Sequence, residues 1–184
     1  AFGCQADTLK VPCATLCTIE GGNTLTATAA QVKGSLTLNA PVTLTKAVTT
    51  SQENNLLYAD MSCLYIDGGN VTVNSTLRAT ATTESTKYND NVSAIYVANT
   101  TPVGTLTITG NGKVYGYGTS YGYFYRRSSD TETLTIEEGG ILRLASAKGA
   151  FSGTPESCTQ PLIEWGFSQA PTGPITVKTG SETD

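Results

Sequence analysis

A short phrase recurs along this chain: apolar-x-apolar, a cluster of turn-forming residues, then a second alternating run. It reads Leu64-Tyr65-Ile66-Asp67-Gly68-Gly69-Asn70-Val71-Thr72-Val73. It returns as Leu106-Thr107-Ile108-Thr109-Gly110-Asn111-Gly112-Lys113-Val114-Tyr115, and again as Leu134-Thr135-Ile136-Glu137-Glu138-Gly139-Gly140-Ile141-Leu142-Arg143-Leu144. Period-two alternation sends successive side chains to opposite faces of a strand. Gly-Gly and Asn-Gly supply the positive φ or tight bend between strands. Tandem units of this kind bury their apolar positions only by stacking on one another. The expected architecture is therefore all-β and solenoidal, with one rung lying about 4.8 Å above the next.

Anchoring on the middle apolar residue of each triplet selects Ile19, Leu38, Ile66, Ile108, Ile136 and Val177, at intervals of 19, 28, 42, 28 and 41 residues. This spacing describes a repeat of roughly two dozen residues with corner insertions. A compact apolar strand precedes several of the phrases: Leu56-Leu57-Tyr58-Ala59, Ala94-Ile95-Tyr96-Val97, Tyr123-Phe124-Tyr125 and Leu162-Ile163-Glu164-Trp165. Ile66, Ile108, Ile136 and Val177 are expected as one interior ladder, with Tyr65, Thr107, Thr135 and Thr176 as its outward neighbours. Residues 1–17 form a Cys-rich N-terminal cap or arm in this reading. Residues 18–184 form a single domain with polar loops near 78–91 and 152–160. The rival architecture is a β-sandwich, pilin-like or jelly-roll, which needs many short strands but no phrase recurring in register.

The segment Ser93-Ala94-Ile95-Tyr96-Val97, followed by Thr105-Leu106-Thr107-Ile108-Thr109-Gly110-Asn111-Gly112, resembles repeats of secreted bacterial right-handed parallel β-helix proteins. These are adhesin-like and carbohydrate-binding surface proteins, related in fold to pectate lyases. The resemblance spans roughly residues 56 to 180, and it implies a right-handed helix and an extracellular or cell-surface location.

Charge narrows the partners. Of 184 residues only 14% are charged, the net charge is −4, and there is no basic stripe of the kind nucleic acid requires. No run approaches the roughly 20 apolar residues of a membrane helix. The numbering opens on Ala1, as expected for a chain whose signal peptide has been removed or for a piece of a longer one. The five cysteines Cys4, Cys13, Cys17, Cys63 and Cys158 are disulfide candidates of an oxidising compartment, the odd one being buried or linked to another chain. Asn70, Asn74, Asn91 and Asn99 head N-x-S/T sequons and are candidate glycosylation sites.

The sequence contains no histidine, which removes Ser-His-Asp and Cys-His nucleophiles and histidine-ligated metals. No catalytic residue and no cofactor is assigned. The lyase resemblance implies carboxylates that hold calcium. Asp67 and Glu137, in turns following equivalent triplets, form a weak calcium candidate if they share one edge. Glu164 beside Trp165 is a lone acid, and glycoside hydrolysis needs two. A richer signal is the aromatic run Tyr115, Tyr117, Tyr121, Tyr123 and Tyr125, followed by Arg126 and Arg127. With Trp165 these form a candidate carbohydrate-binding face, because aromatic faces pack on sugar C–H surfaces and Arg grips acidic groups. The bland reading of the same run is that alternate residues fill the core while the rest stack with Tyr96 and Tyr58. Regular outward Thr arrays also occur on ice-binding solenoids, but Tyr65 interrupts the ladder expected here. Edge strands at the two ends of a stack invite pairing with another copy. The expected function is thus an extracellular structural or adhesive solenoid that self-assembles, with polysaccharide binding as the alternative and a carboxylate-dependent lyase behind it.

Overall fold

The computed structural model describes residues 6–49, 58–84, 92–98, 100–125 and 134–146, and the backbone of strands at 163–165, 175–177 and 182–183. Every strand pairing among these residues is parallel, and none of them lies in a helix. A six-stranded sheet contains β2 (Leu16–Ile19), β4 (Ser35–Leu38), β7 (Asn70–Val73), β10 (Thr105–Ile108), β13 (Leu134–Ile136) and β16 (Ile175–Val177). This is the first face.

The larger sheet branches at β3 (Leu25–Val32). Leu25, Thr26 and Ala27 pair with β5 (Val42–Val48), while Ala30, Gln31 and Val32 pair with β6 (Ser62–Ile66). From β5 the second face continues through β8 (Thr76–Thr83), β11 (Lys113–Gly118), β14 (Ile141–Ser146) and β17 (Glu182–Thr183). From β6 the third face continues through β9 (Ser93–Val97), β12 (Tyr121–Tyr125) and β15 (Ile163–Trp165). β1 (Ala6–Val11) lies along β3. Each strand after β3 therefore pairs with the strand three further on, and each set of three makes one rung.

Register explains the interior. Ile19, Leu38, Val73, Ile108, Ile136 and Val177 are successive partners on the first face. The sequence-derived ladder had Ile66 where Val73 stands; Ile66 belongs instead to the third face, opposite Val97. Both are fully buried apolar residues ending a triplet, so the pattern alone does not tell them apart. With Val73 restored, two consecutive rungs are 35 residues long, and partners such as Asn39 and Asn74 or Asn70 and Thr105 keep that separation. Val71 and Leu106 beside them are buried to 1% or less. The polar stretch read as a loop from Arg78 starts as strand, since β8 runs to Thr83; its inward positions are Ala79 and Ala81, too small to announce a core. Residues 85–91 and the loop near 152–160 lie outside the described residues.

The corner between third and first faces is closed by a glycine column, Gly34, Gly69 and Gly104. A Cβ on Gly69 would meet the carbonyl oxygens of Gly34 and Val32, and one on Gly104 would meet Ile66 Cγ2. These carbonyls are committed to the stack: Asn70 N–H donates to Gly34 O and Thr105 N–H to Gly69 O, each at 2.9 Å.

Candidate functional site

The first face carries an unbroken threonine rank. Thr18, Thr37, Thr72, Thr107, Thr135 and Thr176 are successive register partners. The expected interruption at Tyr65 is absent because Tyr65 lies on the third face, beside Tyr96. The rank is bordered by groups that bond to one another. Asn39 Nδ2 donates to Glu20 Oε1 at 2.7 Å, Asn74 Nδ2 to Asn39 Oδ1 at 2.7 Å, and Thr109 Oγ1 to Asn74 Oδ1 at 2.9 Å. On the other border Thr105 Oγ1 donates to Asn70 Oδ1 at 2.8 Å. Polar side chains here hold neighbouring rungs together. Two of the sequon asparagines, Asn70 and Asn74, belong to these ladders; Asn91 and Asn99 lie outside the described residues.

The third face separates the tyrosines. Tyr123 is fully buried in the main core, and Tyr121 is 9% exposed. Tyr121 packs in a small aromatic cluster around Tyr96, which stacks on Tyr58 with ring centroids 4.7 Å apart and on Tyr65 at 5.5 Å. These rings serve packing, so Tyr121 and Tyr123 leave the candidate binding face. Tyr125 and Trp165 are backbone partners in β12 and β15; their side chains, and Arg126 and Arg127, lie outside the described residues.

The second face brings together residues that the sequence run did not unite. Tyr115 pairs in register with Arg78 on one side and Arg143 on the other. The neighbouring outward column is Thr80, Tyr117 and Ala145. Arg78 Cζ sits 4.5 Å from the centroid of the Tyr115 ring, a cation–π contact. Arg78, Tyr115, Tyr117 and Arg143 line an open groove of about 230 Å³, floored by Gly116 and Leu144. A Cβ on Gly116 would lie 2.8 Å from Leu144 Cδ2 and 3.2 Å from Ala94 Cβ, so a larger residue there would push the Leu144 side chain aside. Of the tyrosines called from sequence, Tyr115 and Tyr117 keep an outward place. Arg78 and Arg143 were missed, although Leu77-Arg78-Ala79, Val114-Tyr115-Gly116 and Leu142-Arg143-Leu144 share one phase after their corner.

Other expected sites come apart. Asp67 stands at the corner between third and first faces, its carboxylate 3.2 Å from Lys33 Nζ. Glu137 follows β13 at the opposite edge of the first face, where its N–H donates to Ile108 O. They share no edge, and among the described residues no three His, Cys, Asp or Glu side chains gather as a metal site. Cys13, Cys17 and Cys63 are free thiols, so the disulfides expected of them are absent; Cys4 and Cys158 lie outside the described residues. Cys63 is enclosed in the core, its Sγ 3.1 Å from Thr80 O, and burial pushes its pKa up to about 12. Lys46 donates to Ala59 O at 3.1 Å, and partial burial pulls its pKa down against the nearby Asp60 and Cys63.

Comparison with protein-family models, curated proteins and solved structures found no match to this chain.

Proposed function

We propose that the chain is a right-handed parallel β-helix acting outside the cell as a structural and adhesive element, and that copies associate end to end through edge strands. The hand follows from the near-universal right-handedness of crossovers between parallel strands of one sheet. The observation that carries the assembly reading is the open edge at β2. Among the described residues nothing pairs with the side of β2 away from β4. Leu16 is 85% exposed, and the inward-facing Cys17 and Ile19 are only half-buried, whereas their partners Leu36 and Leu38 are 2% and 1% exposed. A further parallel strand laid on this edge would bury apolar surface and satisfy the free backbone groups. Such a contact joins unlike edges, so it propagates rather than closes. The exposed Cys13 beside it gives a thiol for linking copies. Electron microscopy and sedimentation, with and without reductant, test this. The expected result is filaments or concentration-dependent oligomers that Leu16→Lys disperses; a strict monomer under both conditions sinks the proposal.

The groove on the second face favours a second, compatible reading, saccharide binding by the surface of the helix. Its support is the pairing of two half-buried tyrosines with arginines around a shallow opening. Glycan-array binding that disappears in Tyr115→Ala is the expected outcome, and a blank array for the parent protein removes this reading.

A further inference from the structure

We propose that the groove between Arg78, Tyr115, Tyr117 and Arg143 takes an anionic saccharide, with its carboxylate or sulfate group on the guanidinium groups and a sugar ring against the tyrosines. This inference rests on the saccharide-binding reading and names its ligand class.

Charge distribution supports it first. The outward positions of β8, β11 and β14 carry Arg78, Lys113 and Arg143, and the strands β5, β8, β11 and β14 hold no Asp or Glu. Lys46 of β5 is in register with the buried Ala81 and donates to Ala59 O, so it stands off this face. That is a basic face on a chain of net charge −4. Glu182, in β17 at the end of this sheet, is in register with Ile141, two positions before Arg143. A diffuse field of this protein repels anions, so attraction is confined to the column itself.

The column's geometry adds selectivity. Arg78, Tyr115 and Arg143 occupy consecutive strands, so the backbones of the two arginines stand roughly 10 Å apart, two strand spacings, and the Arg78 guanidinium reaches over the Tyr115 ring between them. A guanidinium resting on a ring keeps the N–H donors of its rim for a planar anion, which it can hold in bidentate fashion. The groove's 230 Å³ lies below the usual range for enclosed ligand pockets, which begins at about 300 Å³, and its lining comes from three consecutive rungs, through β8, β11 and β14. A single sugar ring with its chain running on across the rungs fits that shape. A small free anion would leave the Tyr117 wall unused.

The test is calorimetric titration of the full chain with three soluble oligosaccharides: one carrying uronic acids, one carrying sulfates, one neutral. Binding of either anionic oligosaccharide, weakening with added salt, is expected, and the preferred one identifies the anion. Arg78→Gln should weaken it about tenfold, as for loss of a charge-assisted hydrogen bond, and Arg78→Lys by less. Lys10→Gln, an equal charge change at an exposed position on β1, should leave it unaltered. Far-UV circular dichroism confirms that each variant is folded. Equal binding of the neutral oligosaccharide with no effect of Arg78→Gln overturns the anionic assignment and leaves saccharide binding standing. Equal weakening by Arg78→Gln and Lys10→Gln also overturns it, as diffuse electrostatics. No binding of any of the three overturns both.

Discussion

Thr109 donates its hydroxyl to Asn74 Oδ1 at 2.9 Å across one rung of the stack, and Asn74 passes the chain on by donating to Asn39 at 2.7 Å. The Asn74 amide is thus used in both directions. Asn74→Ala removes two side-chain bonds and should lower stability by about 1–2 kcal/mol. In a domain of this size that is a fall in melting temperature of roughly 2–8 °C. Glu20→Ala, at the end of the same chain, removes one exposed bond and should cost less than half as much. Thermal melts of the two variants check the ranking.

Buried ladder positions should be far less forgiving than the open edge. Ile108 is fully buried between Val73 and Ile136, so Ile108→Ala leaves a cavity and should cost about 2–5 kcal/mol. Leu16→Ala should change monomer stability by under ~0.5 kcal/mol. Urea denaturation at low protein concentration separates this effect from assembly.

Tyr96 is 1% exposed and stacks on both Tyr58 and Tyr65. Tyr96→Ala should cost about 3–5 kcal/mol, by analogy with other buried aromatic truncations. Tyr65→Phe keeps the stacked ring and should be close to neutral. Chemical denaturation of the pair tests whether these rings act in packing.

Cys63 makes stability fall in alkali. Its folded pKa is raised to about 12 from 9.0, because burial opposes the thiolate. The unfolded thiol ionises first as pH rises, so its contribution is intact below pH 9 and is lost progressively toward pH 12. Cys63→Ala should flatten the decline of unfolding free energy across that interval, relative to the parent protein. The same enclosure predicts that a thiol reagent at neutral pH labels Cys13 and Cys17 in the folded state and Cys63 only after unfolding. Denaturant titrations at two alkaline pH values and thiol counting check both.

Which parts were legible in the chain follows from what each residue must satisfy. All-β character was readable because Leu106, Ile108, Leu134 and Ile136 alternate with Thr, and that alternation has one physical meaning. The stacking of Tyr58 with Tyr96 was readable too, as the bland alternative to a binding face. The three-faced rung was not, because Ile66 and Val73 both end apolar triplets and both are buried, yet they serve different sheets. The part of β8 beyond Leu77 was hidden because its inward positions, Ala79 and Ala81, are alanines. The groove was hidden for a related reason. Arg78, Tyr115 and Arg143 are neighbours only through register, and a one-rung error in alignment scatters them.

The strand β3 has one edge occupied by β1 between Ala6 and Val11, and its other edge divided between β5 and β6. It crosses from the second face to the third without a break, where later rungs use separate strands. Tension drawn through β1 would load this edge in shear, across register pairs from Ala27 to Val32, rather than peel bonds one at a time. Rupture of that edge would release β1 alone and leave β3 joined to both arms of the large sheet through its pairings with β5 and β6.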